Sequence, residues 1–197
     1  MKNFGSGKFW PTAMVLATLI SAASCGLFGP RDETVAAAKL VQDANDDLTK
    51  IKKLYNDNEG KRLQLKKALE ENDAEQVKKI SDDVVYLIND GMDFAKSSVE
   101  KIQRAQEMEV NDDYREYLRL KEQALLKQID AFEQYRQAAR ALRDNYDPKN
   151  DALRAKVKIE FDERSDKYRV LMEQARDHSS QANELAKEAI RRNAKNN

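Results

Sequence analysis

The chain carries one histidine, His178, and one cysteine, Cys25, and this scarcity bounds the chemistry open to it. A di-iron centre in a helical bundle needs two Glu-x-x-His motifs and two further inward-facing carboxylates. The residue three before His178 is Ala175, so the motif is absent. Zinc sites built from cysteine and histidine fail for want of ligands. A Ser-His-Asp arrangement lacks its glycine-rich nucleophile turn, and no glycine-rich loop is present to cradle a phosphate. No catalytic residue, metal ligand or cofactor is therefore expected, and the chain is not expected to be an enzyme. His178 falls on the apolar seam of the last expected helix, where it either titrates near neutrality as a pH switch or packs as a boundary residue. The other residues that invite a role are the seven tyrosines: Tyr55, Tyr86, Tyr114, Tyr117, Tyr135, Tyr146 and Tyr168. Tyr114, Tyr117 and Tyr146 lie toward the two ends of one expected helix, where bundle tips expose surface. They are the candidate partner-binding residues, although core packing with a hydroxyl reaching water is the reading the pattern favours.

The 197 residues include 35 basic and 35 acidic side chains and are 41% hydrophobic and 36% charged. That is one domain in size and excludes a polytopic membrane protein. Residues 1–24 carry Lys2 and Lys8 and no acid, then an apolar run from Ala13 to Ile20, then Ser21, Ala22, Ala23 and Ser24. This order is that of a secretory signal peptide, and the apolar run is shorter than the roughly 20 residues a spanning helix needs. Removing it leaves a body with two more acids than bases. Such a balance offers nothing to nucleic acid or to an anionic bilayer surface.

Ala22-Ala23-Ser24-Cys25 resembles the lipobox of bacterial lipoproteins, with Ala22 where leucine is usual. The resemblance implies cleavage before Cys25, a covalent lipid on its thiol and a membrane anchor of two or three acyl chains, enough for stable attachment. Ala22-Ala23-Ser24 also fits an ordinary signal-peptidase site, which leaves Cys25 a free thiol. In either case a lone cysteine forms no internal disulfide. By the same family comparison, Gly26 stands where inner-membrane lipoproteins of enterobacteria have Asp. An outer-membrane location is thus expected, facing the periplasm or the cell surface.

Residues 25–31 form a short tether, after which Asp32 can cap a helix. Beyond Pro30 only Gly60, Gly91 and Pro148 interrupt the chain, and apolar residues recur at three-four spacing. The spacing predicts a helix over 32–71, bent near Gly60, with Ala37, Val41, Ala44, Leu48, Ile51, Tyr55, Leu65 and Leu69 on its seam. A second helix over 73–109 opens with Asp73 and Gln76 as a capping pair and has Val77, Ile80, Val84, Leu87, Phe94 and Ile102 on its seam. A third over 111–146 is capped by Asn111, and a fourth over 148–193 starts with Asp147 as cap and Pro148 in its first turn. Comparable lengths and short connections predict an all-α fold: long antiparallel helices in an up-down-up-down four-helix bundle with coiled-coil-like packing. Acid-before-base pairs at four-residue spacing, such as Asp46 with Lys50 and Glu75 with Lys79, mark solvated faces. Arg62, Lys121, Gln128 and Arg164 are polar seam positions that either build a buried polar layer or line a groove, or else snorkel outward.

The function expected from these features is that of a non-enzymatic envelope lipoprotein, a structural, assembly or binding module held at a membrane through Cys25. Its partners are then the membrane, through the lipid, and a protein partner or another copy of itself. The alternatives are a peptidoglycan-associated lipoprotein, which the chain resembles in its charged helices alone, and a periplasmic chaperone or holdase.

Overall fold

A computed structural model describes residues 33–196, and among them every regular element is a helix. The leader, Cys25, the tether and the Asp32 cap lie outside the described residues, as does the side chain of Arg62. Five helices pack together: α1 (Thr34–Asp57), α2 (Glu59–Glu70), α3 (Ala74–Gln106), α4 (Asp112–Asn145) and α5 (Asp151–Asn196). At 1.5 Å per residue the 46 residues of α5 extend about 69 Å. No helix among the described residues is long and apolar enough to cross a membrane.

Two boundaries match the caps legible in the sequence. Asp73 accepts a hydrogen bond from the Gln76 amide at 3.0 Å, and Asn111 accepts one from the Tyr114 amide at 2.9 Å. Each places a short side-chain acceptor over the orphan amides of a first turn. Two other boundaries differ from expectation. The first expected helix is two helices, and the break falls at Asn58, not Gly60. The run Asn56-Asp57-Asn58-Glu59-Gly60 is poor in helix formers, and the Asn58 amide group bonds back to the Leu54 carbonyl at 2.8 Å. The last helix starts at Asp151, so Pro148 lies in a turn ahead of it. Asp147 closes that turn by accepting from the Lys149 amide at 2.8 Å, and Asn150 caps the helix by accepting from the Leu153 amide at 3.0 Å.

Helix α3 is central: it packs against α1, α2 and α4, and α4 in turn carries α5. The buried side chains form two clusters at opposite ends of the body. One joins Ala37, Val41, Ile102, Tyr114, Leu118 and Ala182; the other joins Leu65, Val77, Val84, Leu142 and Val157. Exposed Lys50 bonds the buried Asp47 at 2.8 Å, in place of the expected Asp46, because i,i+3 partners lie as near as i,i+4 ones.

The α2–α3 turn depends on Asn72, whose φ of 54° lies in the left-handed region. The Asp73 amide bonds the Ala68 carbonyl at 2.9 Å and the Asn72 amide the Leu69 carbonyl at 3.3 Å, the two bonds of a Schellman cap. Asn72→Ala should lower stability by about 1 kcal/mol, because a Cβ without a compensating amide is strained at that φ, whereas Asn72→Gly should change it little. Urea denaturation of the two variants checks this.

Candidate functional site

Three polar or aromatic arrangements stand out, and only one of them forms a pocket. The first joins α1 to α3. Asp47 is 2% exposed and accepts hydrogen bonds from Lys50 at 2.8 Å, from the Ser97 hydroxyl at 2.8 Å and from Lys101. Beside it the buried Ser98 hydroxyl donates to the Ala44 carbonyl at 3.1 Å. Burial pushes the Asp47 carboxyl up, but the hydrogen bonds from Lys101, Lys50 and Ser97 outweigh it and hold the pKa at about 2. Both carboxylate oxygens of Asp47 accept hydrogen bonds, two of the three from α3, so this group clamps two helices.

The second arrangement lies in the N-terminal part of α4, whose side chains share a core cluster with those of α1. Tyr114 and Tyr117 stack with ring centroids 5.6 Å apart, at 2% and 8% exposure. Of the two readings, core packing holds at this end: both rings sit in one core cluster with Ala37, Ile102 and Leu118. Burial raises both phenol pKa values, that of Tyr117 to about 12. Tyr146, at the other end of α4, is half-buried and donates its hydroxyl to the Asn72 side chain at 3.3 Å, so it pins the α2–α3 turn.

Of the polar seam residues, Lys121, Gln128 and Arg164 make inward contacts, against the snorkelling reading. Lys121 donates to the Asn45 side-chain oxygen across the body at 2.8 Å and lies 5.9 Å from the Tyr117 ring centroid. Burial pulls its pKa down to about 8. Gln128 is 2% exposed, and its Oε1 has no hydrogen-bond partner among the described residues. Arg164 pairs with Glu160 at 3.0 Å and with Gln137. His178 is half-buried on α5, with Nδ1 unpaired among the described residues. No group of three or more His, Cys, Asp or Glu that could hold a metal stands among the described residues.

The third arrangement is a cavity of about 170 Å³ between the two apolar clusters, at the level of the α1–α2 break. Its walls come from all five helices: Ile51 and Tyr55, Asn58 at the break, Lys61, Ile88 and Gly91, Phe132 and Tyr135, and Ser165 and Tyr168. The Tyr135 and Tyr168 rings stand 5.5 Å apart with a 43° tilt. Exposed Glu59 and half-buried Lys61, the latter bonded to Asp83 at 2.6 Å, stand where the cavity meets the break.

Gly91 explains why the space exists. It is buried at a seam position, seven residues after Val84, yet a Cβ added there would meet nothing within 4 Å. Glycine in a helix interior costs about 1 kcal/mol against alanine. An unfilled space of 170 Å³ forgoes up to about 4 kcal/mol of packing. The sequence singled out none of Asp47, Gly91 and Ser165. For Gly91 the available signal was a glycine at a seam position that apolar side chains otherwise fill; for Asp47 and Ser165 burial left no mark in the pattern. Comparison of the chain with family models, with curated proteins and with solved structures finds no match.

Two titrations follow from these geometries. The lowered Asp47 pKa stabilises the fold fully above about pH 4, and this is lost as pH falls through 2. Asp47→Asn should therefore cost about 2 kcal/mol at pH 7, with the gap to the parent closing between pH 4 and 2 in denaturation curves. Lys121 gives a slope of the same sign at higher pH, because the unfolded chain binds its proton more tightly than the folded one between pH 8 and 10.5, but here the charged form is the one the fold disfavours. Stability should rise with pH from 8 to 9.5 by at most about 1.4 kcal/mol per unit, and Lys121→Met should remove that rise.

Proposed function

We propose that this chain is a lipid-anchored helical module of a bacterial envelope. Cys25 carries the lipid, and the body is a non-enzymatic rod that binds a protein partner or another copy of itself. Its helices run up, down, up and down as four rods, the first of them α1 and α2 together. The observation that carries this reading is the lipobox-like Ala22-Ala23-Ser24-Cys25 placed a few residues ahead of a wholly helical body. An outer-membrane position facing the periplasm or the surface belongs to the same proposal and rests on Gly26.

The outer faces support a module that stays in solution beside its membrane. They carry ion pairs such as Lys39 with Asp43 at 2.9 Å, Arg119 with Glu116 at 2.6 Å and Lys187 with Glu184 at 2.7 Å. Exposed pairs of this kind add little stability and mainly keep the faces solvated. The large exposed apolar residues are spread over all five helices: Val35, Leu63, Tyr86, Leu126 and, on α5, Ile159, Val170 and Ile190. This distribution weighs against the holdase alternative, which needs a continuous apolar patch of several hundred Å². Nothing among the described residues favours peptidoglycan as the partner.

The test is metabolic labelling of bacteria expressing the full chain with a palmitate analogue, followed by membrane fractionation. The expected result is labelled protein in the membrane fraction and, for Cys25→Ser, unlabelled protein released from it. Wild-type protein that takes no label, or a Cys25→Ser variant that still takes it, overturns the proposal.

A further inference from the structure

We infer that the cavity at Gly91 is a binding site for one small aromatic molecule, a single ring bearing one hydrogen-bonding substituent, of the phenol type. Its size sets the first limit. A dry cavity of about 150 Å³ lined by aliphatic and aromatic side chains accommodates benzene, and this one measures about 170 Å³. One ring with a small substituent fits within it.

The lining sets the second limit. Ile51, Val84, Ile88 and Phe132 present hydrocarbon, while Tyr135 and Tyr168, tilted at 43° to each other, offer ring faces and edges to a third ring. Such walls prefer a flat ring to a flexible chain, which loses more rotational freedom on binding. The substituent is called for by Ser165. This residue is 2% exposed, lines the cavity, and its Oγ has no hydrogen-bond partner among the described residues. An orphan hydroxyl at an apolar cavity is the group that a ligand's own hydroxyl would satisfy, since each can donate or accept.

Gly91 supplies an independent argument, because it removes a side chain where the seam calls for one. The Cβ that is missing would stand in open space, so the protein leaves unused room at this position. Asn58 breaks the first rod at the same level, and the exposed Glu59 next to it gives the cavity an edge toward solvent through which a ligand can pass. The inference does not depend on whether Cys25 is acylated.

The test titrates the full chain with phenol, benzene and 1-hexanol, following saturation-transfer NMR of the ligands and the melting temperature of the protein. Phenol is expected to bind saturably and raise Tm, benzene to bind less tightly and 1-hexanol least. Gly91→Leu should melt higher than the parent and bind phenol at least about tenfold more weakly, since its side chain takes the ligand's place. Ser165→Ala should weaken phenol by about fivefold and leave benzene unchanged, a result that keeps the test intact should Gly91→Leu fold poorly. Unsaturable phenol binding overturns the inference. So does 1-hexanol binding as tightly as phenol, which marks an acyl-chain site, or a folded Gly91→Leu that binds phenol like the parent.

Discussion

Side-chain size along the helix seams decides how closely each pair of helices can approach, and that spacing governs the rest of the body. Both α4 and α5 bury many alanines: Ala124, Ala131 and Ala138 on one helix, Ala175, Ala182 and Ala186 on the other. These two helices share the most extensive contact in the molecule. On the opposite side α1 and α5 do not come into backbone contact. The larger side chains Tyr55 and Tyr168 face the space between them, and the cavity is what remains when Gly91 adds nothing from α3.

Polar groups then lock the arrangement that packing alone leaves loose. Alanine and leucine seams are nearly equivalent under a one-heptad slip, so they specify register weakly. Asp47 removes that freedom between α1 and α3, because its carboxylate is buried and satisfied only with Ser97 and Lys101 opposite it. Lys121 and Asn45 do the same between α4 and α1. The cost of the buried ammonium appears in its lowered pKa, and the account assigns it to register, the best-attested use of a buried polar group.

Helix content, the caps at Asp73 and Asn111 and most seam residues were legible in the sequence, because apolar spacing and short capping side chains are local signals. The break at Asn58 was displaced by two residues, since glycine is a visible mark while an Asn-Asp-Asn run acts through side-chain bonds to the backbone. Pro148 misled in the same way: it suits a first helical turn, but Asp147 and Asn150 place it in the turn before. Core packing of Tyr114 and Tyr117 was legible, but the neighbours that bury them were not, because those depend on which helices meet that end of α4. The cavity was least legible of all, as an absent side chain at position 91 becomes a site only once Tyr135, Ser165 and Tyr168 are brought around it.

The central structural claim is that the core holds one apolar space created by the missing side chain at position 91. Crystals pressurised with xenon test it most directly, since xenon enters dry apolar cavities and scatters strongly. The account predicts one xenon site between Ile88, Phe132 and Tyr168 in the parent and none there in Gly91→Leu. A parent structure without xenon at that place, or a Gly91→Leu structure that retains it, would contradict the account.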